Sequence, residues 1–271
     1  MRTLSAALTA AQKSASAAPY VRVRAIRKIG GVGRLDWERL YTGAEAEVSH
    51  GATQPADGSL LRIRVNAGQV QIQRTTSPGP ASNFATWPAG TGSDVSCVAI
   101  CSSGASVWAF YANFTDRKVY ASASTDSGAT WGAWTAITAA GGAISSFIAA
   151  AMKSNGDVLV IYDQGATLYK VKRSGGAWGA QAAWTNSAAS ITGLAIYYAN
   201  DFNIIVTGTE VTTTHPRVWS CIYGDGYSQG ADTWSALAEI TGASAGSGVA
   251  YKLPSLAQPD VYRAFWVETY S

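Results

Sequence analysis

Apolar and polar residues alternate along most of this chain in short runs bounded by Gly, Asn, Asp and Ser, the pattern of half-buried and buried β-strands. Four stretches repeat it at a nearly constant interval: Val70-Gln71-Ile72-Gln73-Arg74, Val119-Tyr120-Ala121-Ser122-Ala123-Ser124, Leu168-Tyr169-Lys170-Val171-Lys172-Arg173 and Val218-Trp219-Ser220-Cys221-Ile222-Tyr223. Their first residues lie 49, 49 and 50 positions apart, and each run leads through a polar, Gly-rich turn to a tryptophan: Trp87, Trp131, Trp178 and Trp234. Strands are predicted near 44–49, 60–65, 69–74 and 84–87; then 95–101, 106–112, 118–124 and 133–137; then 144–152, 157–163, 167–173 and 182–185; then 191–198, 202–208, 217–223 and 236–240. Asn66-Ala67-Gly68 reads as a three-residue hairpin loop and Asn155-Gly156 as a two-residue type I′ turn.

A period of this length with four strands per unit predicts an all-β fold, a β-propeller of four-stranded blades. The blades fall at about 44–91, 92–140, 141–188 and 189–242, with a fifth beginning over 243–271, so that about four and a half are present. An open ring exposes strand edges. Closure therefore needs either a strand from residues 20–29 or further polypeptide beyond Ser271, and the second is favoured. The recurring tryptophans are expected to be wedged between blades.

Residues 1–43 form a separate arm. Leu4, Leu8, Ala11 and Ala15 share one stripe of a helix predicted over about 4–17, which Pro19 ends. A helix this short is marginal alone, so it either docks on a partner surface or frays. Tyr20 to Ile29 alternates as a strand, Gly30-Gly31-Val32-Gly33 breaks it, and 34–43 leads into the repeats. The arm carries eight basic and two acidic side chains, so the net charge of +3 divides into +6 on the arm and −3 on the rest. Arg22 and Arg24 alternate with Val21 and Val23 as the wet face of a strand would. Docking onto another protein is expected rather than nucleic-acid binding. The anchor residues are Leu4, Leu8, Arg22 and Arg24.

Charged residues make up 14% and hydrophobic ones 47%, which excludes global disorder and leaves a surface of small polar residues. Cys97, Cys101 and Cys221 are too few for a disulfide framework. The first two would lie roughly 13 Å apart along one strand. No apolar run reaches the length of a membrane span. Met1 to Ala18 imitates a secretion signal only faintly, since Gln12 and Lys13 interrupt it. His50 and His215 have no ligating neighbours at metal spacing. Gly224-Asp225-Gly226-Tyr227-Ser228 has the look of a calcium-loop fragment without the repeated acids. No metal or cofactor is expected.

Ser124-Thr125-Asp126-Ser127-Gly128-Ala129-Thr130-Trp131 matches Ser-x-Asp-x-Gly-x-Thr-Trp at every fixed position and so resembles the Asp-box of sialidase-type propellers. The resemblance implies a structural hairpin made by Ser124, Asp126, Gly128, Thr130 and Trp131, away from the ligand face. Eroded copies keep Trp178, Trp234 and Trp87. Asp126 is expected to accept local N–H groups and Gly128 to take a positive φ. Sialidase chemistry would need an arginine cluster and a Tyr–Glu pair. Arg62-Ile63-Arg64 lacks the family's proline, and Arg117, Arg217 and Arg263 are poorly placed. The Leu/Ala/Gln/Lys segment Leu4–Lys13 is similar to the N-terminal helix of phage-related tail or fibre proteins. This implies a virion or extracellular location and an oligomer assembled through residues 1–43.

These features point to a non-enzymatic particle-associated propeller that presents loops for receptor or glycan binding. A purely structural subunit and a sialidase-like hydrolase stay open beside it. Exposed aromatics expected on a ligand face are Tyr111, Phe114, Tyr162, Tyr198, Phe202 and Tyr227.

Overall fold

The computed structural model describes residues 23–29, 32–38, 50–75, 85–87, 94–143, 145–184, 188–210, 216–236 and 238–239. The helix over 4–17, anchor residues Leu4, Leu8 and Arg22, and the fifth unit at 243–271 lie outside them. Every element among the described residues is a strand. The chain divides into two units, Met1–Ala46 and Glu47–Ser271.

In the first unit β1 (Val23–Ile29) pairs antiparallel with β2 (Val32–Glu38), with Arg24 opposite Trp37. Residues 34–38 of the expected lead-in thus belong to a strand that runs back along β1, with Ile29 opposite Val32.

The described residues of the second unit form four antiparallel sheets in chain order. Sheet one is β3 (His50–Thr53), β4 (Leu60–Asn66), β5 (Gln69–Thr75) and β6 (Ala85–Thr86). Sheet two is β7 (Val95–Ser103), β8 (Ser106–Asn113), β9 (Val119–Ser124) and β10 (Thr135–Ala136). Sheet three is β11 (Ile148–Met152), β12 (Val158–Gln164) and β13 (Thr167–Ser174), with both β14 (Ala177–Trp178) and β15 (Ala182–Trp184) on β13. Sheet four is β16 (Ala188–Ala199), β17 (Asp201–Glu210), β18 (Pro216–Tyr223) and β19 (Ala238–Glu239). The four recurring stretches are the third strand of each sheet. The sequence placed the first strand of sheet one at 44–49; His50–Thr53 fills that position.

The first strands of successive sheets are neighbours, β3 with β7, β7 with β11 and β11 with β16. One core cluster fills each gap between sheets. Leu61, Ile63, Val65 and Trp87 meet Val98, Ile100 and Val107. Cys97, Phe110 and Val119 meet Ile148, Val160 and Tyr162. Leu159, Ile161 and Leu168 meet Leu194, Phe202, Ile204 and Tyr223. Side chains alternate across a strand, so Ile148, Ala150 and Met152 enter one gap while Ala149 and Ala151 enter the next. A sheet covered on both faces needs apolar residues at every position. This is why Val158-Leu159-Val160-Ile161-Tyr162 shows no polar alternation. The three cysteines are free and buried within this packing.

Two turns exchange the types expected for them. Ala67 (φ 49°) and Gly68 (φ 73°) both take positive φ with Asn66 paired to Gln69, which makes a two-residue type I′ turn. Around Asn155 only Gly156 is left-handed, at φ 89°. The Gly156 N–H donates to the Lys153 carbonyl (3.0 Å) and the Lys153 N–H to that of Asp157 (2.8 Å). That is a type I turn closed by a glycine bulge.

Candidate functional site

In each antiparallel sheet the turn from first to second strand and the loop from third to fourth lie at one end, and the turn from second to third at the other. The Ser124–Trp131 loop belongs to the first end. Asp126 accepts the Ser124 hydroxyl (2.8 Å), the Thr130 N–H (2.9 Å) and the Thr130 hydroxyl (2.6 Å). The bonds from Thr130, and then Ser124, hold its carboxyl down at about 2. The Gly128 N–H donates to Ser124 Oγ at 2.8 Å, and the Trp131 indole N–H donates to the Gly128 carbonyl at 3.1 Å. Arg74 reaches across from sheet one to the Ser127 carbonyl (3.0 Å), and Trp131 packs on Trp87 with ring centroids 4.4 Å apart. The loop latches sheet two to sheet one, and the side-chain and N–H donors to Asp126 come from within it.

Trp87 is 2% exposed, while Trp131, Trp178 and Trp234 are half-buried. Trp178 meets Trp108 edge-on at 5.4 Å, and Trp234 stacks on Trp184 at 4.4 Å.

The six aromatics named for a ligand face separate sharply. Tyr111, Tyr162 and Phe202 are core residues, not surface ones. Tyr111 stacks on Tyr120, Tyr162 on Tyr169, and Phe202 lies under Tyr198. They belong to strands buried on both faces, where aromatic and β-branched residues alike turn inward. Phe114 is 54% exposed in the turn between β8 and β9, at the second end of sheet two. Tyr198 and Tyr227 come together elsewhere.

Their meeting place is the first end of sheets three and four. Asp201, at the turn between β16 and β17, is 2% exposed, and its carboxylate is wrapped by the loop after β18. It accepts the N–H groups of Asp225 (2.6 Å), Tyr227 (3.3 Å), Ser228 (2.7 Å) and Gln229 (3.3 Å), and the Ser228 hydroxyl (2.6 Å). Burial pushes this carboxyl up, but the Ser228 hydroxyl and the loop amides outweigh it and leave it well below the usual range. The calcium-like fragment is thus a cradle of N–H groups, which suits an anion and not a cation. Asp201 fills it. No metal-holding group of three or more His, Cys, Asp or Glu occurs among the described residues.

Held this way, the loop exposes Tyr227 to 76% and aims Asp225 at sheet three. Asp225 Oδ2 takes Lys153 Nζ at 2.5 Å and the Tyr198 hydroxyl at 3.0 Å. Lys153 lies 3.7 Å from Asp157 and 5.7 Å from the Tyr198 ring centroid. Burial lowers the lysine's proton affinity, yet Asp225 and its neighbours raise it overall and keep it charged. Asp157 in turn accepts Asn155 Nδ2 (3.1 Å), the Ser174 hydroxyl (3.2 Å) and the Gly175 N–H (3.2 Å). The result is an exposed ring carried on a loop that a largely buried polar network ties to sheet three. Sequence reading singled out Tyr198, Tyr227 and the 224–228 segment but missed Lys153, Asp157 and Asp201. Only the pairing of sheets three and four brings these within reach.

At the opposite end of sheet three, Asp163 is buried and accepts the N–H groups of Ser146 (2.8 Å) and Phe147 (2.6 Å). Burial outweighs those bonds and raises its carboxyl to about 6. Of the arginines considered for a carboxylate clamp, Arg117 is exposed and donates to the Gly142 carbonyl at 2.8 Å.

No protein-family model matches the sequence, and no curated protein matches it. Solved structures share its fold. A protein of unknown function from Dyadobacter fermentans DSM 18053 superimposes with a TM-score of 0.53 at 11% identity, over 78% of this chain and 71% of that one. Aleuria aurantia lectin in complex with Fucα1-6GlcNAc gives 0.50 at 15% identity, over 81% and 71%. The catalytic domain of the Coprinopsis cinerea GH62 α-L-arabinofuranosidase gives 0.50 at 14% identity, over 80% and 74%. At such identities the likeness is one of fold. The chain has an all-β, propeller-like fold of antiparallel sheets.

Proposed function

We propose that this chain is a non-enzymatic propeller that binds carbohydrate through the loop 224–230, on a surface made by Tyr227, Asp225, Tyr198 and Lys153. The observation that carries this reading is the 76% exposed Tyr227 ring, carried by a loop whose backbone is locked onto Asp201. An exposed planar ring suits the C–H face of a sugar, and preset polar groups suit its hydroxyls. Carbohydrate-bound and carbohydrate-active proteins among the structures of like fold support the reading. Acid–base chemistry is disfavoured at this end. Asp126, Asp157 and Asp201 are held below their ordinary range and engaged by donors, so none is a ready proton donor.

A glycan array probed with the wild type and with Tyr227→Ala tests this. Binding that the substitution abolishes, with an unchanged melting temperature, supports it. Binding indifferent to Tyr227, or none at all, removes it.

The wider setting is a phage-like particle or cell surface, with residues 1–43 docking on other subunits. It rests on the Leu4–Lys13 resemblance and on the basic arm. Deleting residues 1–18 is expected to abolish assembly in sedimentation experiments and leave folding intact; oligomers that survive would count against the anchor.

Hydrolysis stands as a second reading on one observation, the presence of a glycoside-hydrolase catalytic domain among the structures of like fold. Turnover of aryl glycosides would establish it, and silence across such a panel would dismiss it.

A further inference from the structure

We infer that the rings packed between sheets one and two form a path for one-electron oxidation, running from Trp131 and Trp134 to Tyr120, where Asp116 takes the phenolic proton. This path shares no residue with the proposed glycan surface. Five oxidisable rings touch in series. Between ring centroids, Trp131 lies 4.4 Å from Trp87, Trp87 4.7 Å from Trp134, Trp134 4.8 Å from Tyr111 and Tyr111 4.9 Å from Tyr120. These are contact separations for aromatic rings, and electron exchange falls steeply with distance beyond contact. Trp87 and Tyr111 are buried, whereas Trp131, Trp134 and Tyr120 are half-buried and within reach of solvent.

Proton acceptors give the path its direction. An indole that loses an electron becomes far more acidic, and it keeps the positive charge only while nothing takes its N–H proton. Among the described residues the N–H groups of Trp87 and Trp134 are buried without an acceptor. That of Trp131 donates to the Gly128 carbonyl, an amide too weakly basic to take the proton. These rings pass the vacancy on and do not trap it. Tyr120 differs, since its hydroxyl donates to the Asp116 carboxylate, which also accepts the Lys118 N–H at 3.1 Å. The bond to Asp116 raises the phenol to about 12 and keeps the proton on it while the ring is reduced. Loss of one electron makes the phenol strongly acidic, and its proton then passes along the existing hydrogen bond. A small radical oxidant thus takes one electron at Trp131 or Trp134. Tyr120 supplies it and becomes a neutral phenoxyl radical, while Asp116 becomes a neutral carboxyl. An electron from an enediol such as ascorbate, with the proton back from Asp116, restores the phenol. A second series, Trp184, Trp234 and Tyr223 with centroids 4.4 and 4.9 Å apart, is disfavoured as a path. Lys170 Nζ stands 4.1 Å from the centre of the Tyr223 ring and donates to its hydroxyl, and its charge opposes loss of an electron there.

Pulse radiolysis of the full chain with azide radicals tests this, because indole and phenoxyl radicals absorb at different wavelengths. In the wild type, decay of the indole radical with matching growth of phenoxyl is expected, at a rate independent of protein concentration. Tyr120→Phe is expected to abolish that growth and leave a long-lived indole radical. Asp116→Asn keeps an acceptor for Lys118 but replaces a base with an amide, and is expected to slow the growth at least about tenfold. Tyr223→Phe is expected to leave rate and yield as in the wild type. Melting temperatures confirm that each variant is folded, and either of the first two decides alone. No phenoxyl growth in the wild type, growth that survives Tyr120→Phe, growth lost with Tyr223→Phe, or a rate that Asp116→Asn leaves unchanged overturns the path. No sugar is present, so failure here leaves the glycan reading untouched.

Discussion

A methyl group added at Gly128 would lie 2.6 Å from Leu61 Cδ1, at a backbone φ of +79° that side chains avoid. Neither partner has room to yield, because Leu61 is fully buried in the cluster between sheets one and two. Gly128→Ala is expected to cost about 2–4 kcal/mol, combining left-handed strain with overpacking. Chemical denaturation measures it; a loss under about 0.5 kcal/mol would mean the loop is not pressed against sheet one. Asp163 gives the second expectation at this scale. Its carboxyl rises from 3.8 to about 6 through burial, so the folded state binds the proton more tightly than the unfolded chain does. Its contribution is complete below about pH 4 and is lost as pH rises through 6. Asp163→Asn keeps an acceptor for Ser146 and Phe147 without a charge to bury. It should match the wild type near pH 4 and be more stable by about 1–3 kcal/mol at pH 8. Parallel stability curves of the two proteins across that range would contradict this.

Turns carry the expectations that belong to whole elements. Ala67 stands in a type I′ turn at φ 49°, where a Cβ costs about 1–2 kcal/mol. Ala67→Gly is therefore expected to stabilise the β4–β5 hairpin, by up to about 1 kcal/mol after the entropy glycine loses. A lower melting temperature would contradict the turn assignment. The 224–230 loop depends on Asp201 in a different way. Asn in its place offers one carbonyl oxygen to five donors and turns an amide N–H₂ toward them. Asp201→Asn is expected to loosen the loop and weaken glycan binding at least about tenfold, with a smaller effect on global stability. Unchanged affinity would mean that Tyr227 is held by something else.

These two elements show what sequence can and cannot carry. The third strand of each sheet and its following tryptophan were legible, because period-two patterning and a long-range repeat survive divergence in detail. The lengths of the two hairpin turns were not, since Asn66-Ala67-Gly68 and Asn155-Gly156 look alike until the register of the flanking strands is known. The cradle was half legible. Glycines and Asp225 marked an unusual loop, but its occupant, Asp201, comes from another turn and leaves no local signal. Tyr111, Tyr162 and Phe202 misled for a related reason. In a strand covered on both sides, no polar neighbour reveals which aromatic faces out.

Among the described residues of the second unit each cluster of buried side chains is shared by two neighbouring sheets, so the sheets stand or fall together and their shared packing holds the turns at their ends. That packing, with the Lys153–Asp225 pair, holds the Lys153 turn of sheet three against the 224–230 loop of sheet four and so lowers the ordering cost of binding there. Hydrogen exchange read by mass spectrometry, with and without a saturating neutral oligosaccharide, tests the location directly. Slowed exchange confined to the amides of 224–230 and 153–157 is the expected result. Protection concentrated instead around Phe114 and Asp163 at the opposite end of the sheets, or no protection anywhere, would contradict the account.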